Sequence, residues 1–139
     1  MADLREWGHL RGKKLTVLLD SWCWIEYFNG TNLGKKVANY IDSDQTLFIS
    51  VINLAEVYKQ GLIKKNRKDA EEMVNLMMSR CFLLAIEADT ALNAAQLSFE
   101  RKWGLGDSLI YATAKSHKLQ LVSGDHHFKN EKDVVFVGT

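Results

Sequence analysis

The sequence predicts an α/β fold, a three-layer sandwich in which a central parallel sheet of four to five strands is flanked by helices. Three observations carry this expectation. Short apolar runs rich in β-formers alternate with helix-length segments whose apolar residues recur at three- and four-residue steps. Alternation of this kind implies parallel strands joined by helical crossovers that cover both faces of the sheet. Finally, 139 residues, 47% of them hydrophobic and 25% charged, suffice for one buried core and leave no room for a second. Residues 1–139 are therefore expected to form a single domain.

Taken in order, residues 1–12 precede the first strand and carry Leu4, Trp7 and Leu10; they are read as an N-terminal extension of unassigned role, either a short docking helix or a start-site addition. The first strand is expected at Leu15–Leu19, with helical spacing in the aromatic stretch after it, where Trp22 would meet Ile25 and Trp24 would meet Phe28. Proline is absent, so turns fall to Gly and Asn, at Asn29-Gly30, Asn32, Gly34, Gly104 and Gly124. A second strand is expected at Leu47–Ile49, followed by helices over Val51–Ile63 and Ala70–Met78. Cys81–Ala85 is a fifth strand candidate, and helices at Ala88–Phe99 and Ser108–Ala114 lead to strands at Leu119–Val122 and Val134–Val137.

The bulk numbers exclude several classes of function. Eighteen Lys and Arg against seventeen Asp and Glu leave a net charge of +1, so no global field attracts nucleic acid and any such affinity must be local. Cys23 and Cys81 lie far apart with no Cys-x-x-Cys or Cys/His pattern, which argues against both zinc and a disulfide framework and leaves two reduced core residues. No apolar run is long enough to span a bilayer and no signal-peptide pattern opens the chain, so the expectation is a cytoplasmic protein without membrane contact.

Candidate chemistry lies in four acids at four element ends. Asp20 directly follows the first strand and Asp125 follows the Leu-Val-Ser-Gly strand end, the positions where open parallel sheets collect ligands. Asp107 opens the helix that returns to the Leu119 strand, and so starts at the same rim. Glu56 lies about a turn and a half into its helix on the face of Ile52 and Ile63, where a carboxylate needs a partner. Each Asp alone reads as an N-cap or turn residue. Together, if about 5 Å apart, each ionised pair repels by roughly 3 kcal/mol at an effective dielectric near 20. No Lys or Arg adjoins them in sequence, and hard oxygen ligands without clustered His or Cys point to Mg²⁺ or Mn²⁺.

With these residues in view, the chain resembles a PIN domain. Leu-Leu-Asp-Ser-Trp-Cys-Trp-Ile-Glu-Tyr-Phe from Leu18 resembles the family's first-strand aspartate block, and Ser50-Val-Ile-Asn-Leu-Ala-Glu56 its second. Gly106-Asp107-Ser-Leu-Ile-Tyr-Ala-Thr-Ala114 is similar to the third block and Leu121-Val-Ser-Gly-Asp125-His-His-Phe128 to the fourth. The likeness covers Leu15 to Val137, and within the family it is strongest to the small prokaryotic VapC-type toxins. Two departures stand out: Ser123 where Thr is common and Gly106 where Ala is usual. The resemblance implies a PIN-like fold and a Mg²⁺- or Mn²⁺-dependent endoribonuclease, with Asp20, Glu56, Asp107 and Asp125 as catalytic metal ligands. It also implies an RNA substrate, a homodimer and a small antitoxin partner. The alternatives are a PIN nuclease of RNA processing outside any toxin system, and a catalytically silent module that binds RNA or protein.

Around the acids, Ser21 and Ser123 are candidates to orient carboxylates or water in support of the metal, with a helix cap and a strand-end turn as the equal alternatives. His126 and His127 suggest a general acid, against which stands a solvated loop. The basic run Lys59, Lys64, Lys65, Arg67 and Lys68 suits phosphate contacts or simply a wet helix face. Trp22, Trp24, Tyr27 and Phe28 fit base stacking, an antitoxin groove or, by their helical spacing, core packing. A phosphoacceptor signalling domain would need an acidic pair at the first strand end, and a haloacid-dehalogenase-like phosphatase a second Asp at position 22; Ser21 and Trp22 stand there instead.

Overall fold

The computed structural model describes residues 16–138, so the N-terminal extension at 1–12 and Leu15 of the first strand lie outside the described residues. Five strands are found: β1 (Thr16–Leu19), β2 (Thr46–Ser50), β3 (Phe82–Leu84), β4 (Gln120–Ser123) and β5 (Val134–Phe136). They form one sheet in the order β3-β2-β1-β4-β5, every pair parallel. Six helices cover it: α1 (Ser21–Asn29), α2 (Asn32–Ile41), α3 (Val51–Lys64), α4 (Arg67–Arg80), α5 (Ala88–Arg101) and α6 (Leu105–Ser116).

Side chains alternate across β1, and this makes two cores. Val17 and Leu19 join Trp24, Val37, Val57 and Met77 beneath α1 to α4. Leu18 points the other way, into Ile110, Tyr111, Leu121 and Phe128 beneath α6. A sheet buried on both faces in this way reads as short continuous apolar runs, which is why the strands were visible in sequence. Cys23 is buried and Cys81 partly so, and both are free thiols. Among the described residues no helix is long and apolar enough to cross a membrane.

One expectation is corrected. Asn32 and Gly34 were assigned to turns, but both belong to α2. Thr31 starts that helix, its Oγ1 accepting the Gly34 N–H at 3.0 Å. Glycine is required at 34 for proximity and not for turning: a Cβ there would lie 2.1 Å from the Glu26 carbonyl oxygen, so it is the absent side chain that lets α2 fold back against α1.

The strand order positions the site. From β1 in mid-sheet the described chain builds outward through β2 to β3, then crosses to add β4 and β5 on the opposite side. The order therefore reverses between β1 and β4, and the crevice beyond their carboxyl ends is the topological switch point where such sheets bind ligands.

Candidate active site at the sheet switch point

Asp20 leaves β1 into this crevice and is only 5% exposed. Its Oδ1 accepts the Cys23 N–H at 2.8 Å, capping α1. Its Oδ2 accepts a short hydrogen bond from the Ser123 hydroxyl at the end of β4. Burial pushes the carboxyl up to about 6; the hydrogen bonds from Ser123 and Cys23 oppose the rise and the charge of Asp107 adds to it.

Ser21 does not cap the helix, since Asp20 does. Its hydroxyl donates to Glu56 Oε1 at 2.7 Å and accepts from Asn53 Nδ2 at 3.0 Å. Asn53 and Glu56, three residues apart on one face of α3, thus hold Ser21 between them. Ser123 serves two functions, because besides Asp20 its Oγ accepts the Asp125 N–H at 3.0 Å and shapes the strand-end turn. Gly106 also has a reason: a Cβ there would lie 2.8 Å from Glu56 Oε2, so glycine lets the α6 N-terminus close over that carboxylate.

Asp107, in the first turn of α6, is likewise raised to about 6, first by burial and then by the charges of Asp125 and Glu56, with His127 pulling it down. Asp125 caps the short 3-10 turn His126–Phe128 through the His127 N–H at 2.9 Å. The His127 ring lies over the same acids, its Nδ1 3.0 Å from Asp125 Oδ1 and 3.9 Å from Asp107 Oδ2.

All four sequence-predicted acids line one open cleft of about 430 Å³, together with Ser21, Trp22, Ile25, Lys59, Gln60 and Ile63. Within it the acids are not equivalent. Among the described residues the tight group of ligand atoms, all within 4.8 Å of one another, is Asp107, Asp125 and His127. Asp20 and Glu56 stand around that group with one or both oxygens already engaged by Ser123, Cys23 and Ser21. Two carboxylates with an imidazole nitrogen beside them form a donor set that suits a divalent cation.

The supporting residues divide. Trp24 is fully buried and stacks on Phe28 at 6.0 Å, with Tyr27 edge-on, so these three belong to packing. Trp22 and Ile25 face the cleft, Trp22 lying so flat on Gly124 that a Cβ there would come within 2.1 Å of its ring. Of the basic run, Lys59 lines the cleft; Arg67 pairs with Glu71 at 3.0 Å, and Lys65 borders a separate hollow with Asp69 and Glu72. Gly106 stood out in sequence only as a departure from the usual Ala, and Asn53 was not singled out. The i,i+3 spacing of Asn53 and Glu56 was the available signal.

A model of the PIN domain family matches residues 17–132. Comparison with curated proteins found no match. Among solved structures the chain is similar to a protein of a toxin–antitoxin complex from Klebsiella pneumoniae, at 24% identity and a TM-score of 0.71, covering 87% of this chain and 97% of that one. It is similar to a chain of VapBC2 from Rickettsia felis bound to a promoter DNA fragment, at 18% identity and a TM-score of 0.68 over 88% and 97% of the two chains. A third likeness is to VapC20 of Mycobacterium tuberculosis, a Sarcin-Ricin loop cleaving toxin, at 14% identity and a TM-score of 0.66 over 78% and 91%. At these identities the likeness is one of fold.

Proposed function

Because the chain belongs to the PIN domain family, we propose that it is a Mg²⁺- or Mn²⁺-dependent endoribonuclease that hydrolyses RNA phosphodiester bonds as the toxin of a two-component toxin–antitoxin pair. The observation that carries the proposal is the convergence of Asp20, Glu56, Asp107 and Asp125 on one cleft at the sheet switch point. No structural duty requires such mutually repelling carboxylates there. The toxin–antitoxin complexes among its structural likenesses support an antitoxin partner, and the likeness to a Sarcin-Ricin loop cleaving toxin supports a nuclease reading, with RNA as the proposed substrate and a homodimer as the proposed assembly. A substrate of that kind assigns the protein to the cytoplasm, with the chain acting as a single domain.

Asp107 and Asp125 would hold the cation, with Asp20 and Glu56 completing its surroundings. When bound, a divalent cation lowers the pKa of water toward neutrality and offsets charge on the phosphoryl oxygens. The chain supplies positioning. Ser123 and the Cys23 N–H hold Asp20 in place, and Ser21 with Asn53 does the same for Glu56, so that neither of these two acids must reorganise when the substrate arrives. Lys59 on the cleft wall meets a substrate phosphate, and Trp22 and Ile25 give the adjoining wall an apolar surface against a base.

The test is cleavage of single-stranded and structured RNA by the purified protein with Mg²⁺, Mn²⁺ or EDTA. Cleavage is expected with either cation, is lost in EDTA, and falls about 1,000-fold in Asp107→Asn, the several kcal/mol that cation stabilisation supplies. EDTA-resistant cleavage at full rate in that variant sinks the mechanism.

A further inference from the structure

His127, beside the cleft-lining acids Asp107 and Asp125, brings a ring nitrogen within reach of both carboxylates. Its neighbour His126 is turned away, its ring packed on Phe136 at a centroid distance of 5.4 Å. The His127 ring is held over the acids by its own backbone, whose N–H is fastened to Asp125 Oδ1 at 2.9 Å. Around a six-coordinate cation with ligands at about 2.1 Å, adjacent donors lie about 3.0 Å apart and opposite ones about 4.2 Å. The separations of Nδ1 from Asp125 Oδ1 and Asp107 Oδ2, 3.0 and 3.9 Å, lie close to these two values.

We infer that His127 Nδ1 is a direct ligand of the cation held by Asp107 and Asp125, which makes this a mixed nitrogen and oxygen site that prefers Mn²⁺ to Mg²⁺. The inference rests on the metal-site reading given above and refines it. Mg²⁺ is a hard ion that favours oxygen and water, whereas affinity for sites that include nitrogen rises along the first-row divalent series that begins at Mn²⁺, so one nitrogen in the set shifts selectivity away from Mg²⁺ and toward that series. The other role open to the ring is that of a positioning residue, donating a hydrogen bond from Nδ1 to Asp125 while the cation is held by oxygen alone. The two roles differ in whether nitrogen touches the metal.

Pulsed electron paramagnetic resonance on the Mn²⁺-loaded full chain reads this directly. The expected result is a ¹⁴N coupling of a coordinated imidazole in the wild type and in His126→Ala, absent in His127→Ala. Calorimetric titration is expected to show Mn²⁺ affinity falling about tenfold or more in His127→Ala, with Mg²⁺ affinity falling by a smaller factor. Because the N–H to Asp125 bond is a backbone bond on a half-exposed loop, the variant retains the turn, and circular dichroism checks this. Mn²⁺ that binds in an Asp107-dependent manner without ¹⁴N coupling overturns the His127 ligand and leaves the metal site standing. Absence of Mn²⁺ binding in wild type and Asp107→Asn alike overturns both.

Discussion

β1 and β2 lie side by side, run parallel, and each passes into a helix within one residue, yet the two junctions are built from different chemistry. At the β2 exit Ser50 is fully buried and neutral. Its hydroxyl accepts the Ile52 N–H at 3.0 Å while its own N–H donates to Asn53 Oδ1 at 2.8 Å, a closed capping box. At the β1 exit Asp20 performs the same cap for α1, but brings a charge into an almost equally buried place and meets other acids there. A serine cap shows that the fold needs only a hydrogen-bond acceptor at such a junction. The charge at Asp20 is surplus to structure, and its place is explained by the cleft.

The strongest way to break this comparison is Asp20→Asn, which retains a capping side chain and removes the charge. RNA cleavage is expected to drop about 1,000-fold. The same variant, melted in EDTA at pH 8, is expected to gain about 4 °C, the shift that about 1 kcal/mol produces in a domain of this size. A variant that loses activity and also stability would mean that the charge is structural.

Next in size is Ser21→Ala. Its hydroxyl positions Glu56 without holding the chain together, so a loss of about 10- to 100-fold in cleavage with a melting temperature nearly unchanged is expected. A melting temperature that falls in parallel with activity would place Ser21 with the packing residues.

The pH dependence of stability sharpens the contrast further. Asp20 and Asp107 ionise near 6 in the fold against an ordinary value of 3.8, so between these limits the folded chain binds more protons than the unfolded one. Metal-free stability is therefore full below about pH 4, declines as pH rises, and by about pH 7 carries the whole penalty. Calorimetry in EDTA is expected to show melting temperature falling over that interval, with Mn²⁺ restoring it at pH 8. A flat profile would remove the electrostatic account. The smallest effect belongs to Ser50→Ala, a loss of about 1 kcal/mol in stability, with cleavage per folded molecule unchanged; a drop in specific activity would show that the neutral junction also serves the site.

Much of this was legible in the residues because burial on both sheet faces leaves an unambiguous trace. Leu47–Ile49 and Val134–Val137 differ from β2 and β5 by at most a residue at either end. The acids were legible for a different reason: Asp20, Asp107 and Asp125 stand at or near element ends that parallel topology sends to one rim, and Glu56 lies in the second turn of α3 on the face turned to that rim. What sequence concealed was contact across space. Asn32 and Gly34 have turn chemistry but sit in α2, because the close packing of two helices overrode local preference. Trp22 and Trp24 look alike by composition, and only the path of α1 over Gly124 separates the cleft residue from the core residue. The Glu56–Ser21–Asn53 chain spans more than thirty positions in sequence, beyond any local pattern.

The Asp20–Ser123 hydrogen bond joins residues 103 positions apart. Any fragment that stops short of β4 keeps Asp20, Glu56 and, in the longest cases, Asp107, but loses both the hydroxyl that holds Asp20 and the carboxylate of Asp125. The cleft is therefore complete only when β4 is paired with β1. On the proposed reading, a partly made or clipped chain would lack the assembled acid set and with it the cleavage activity.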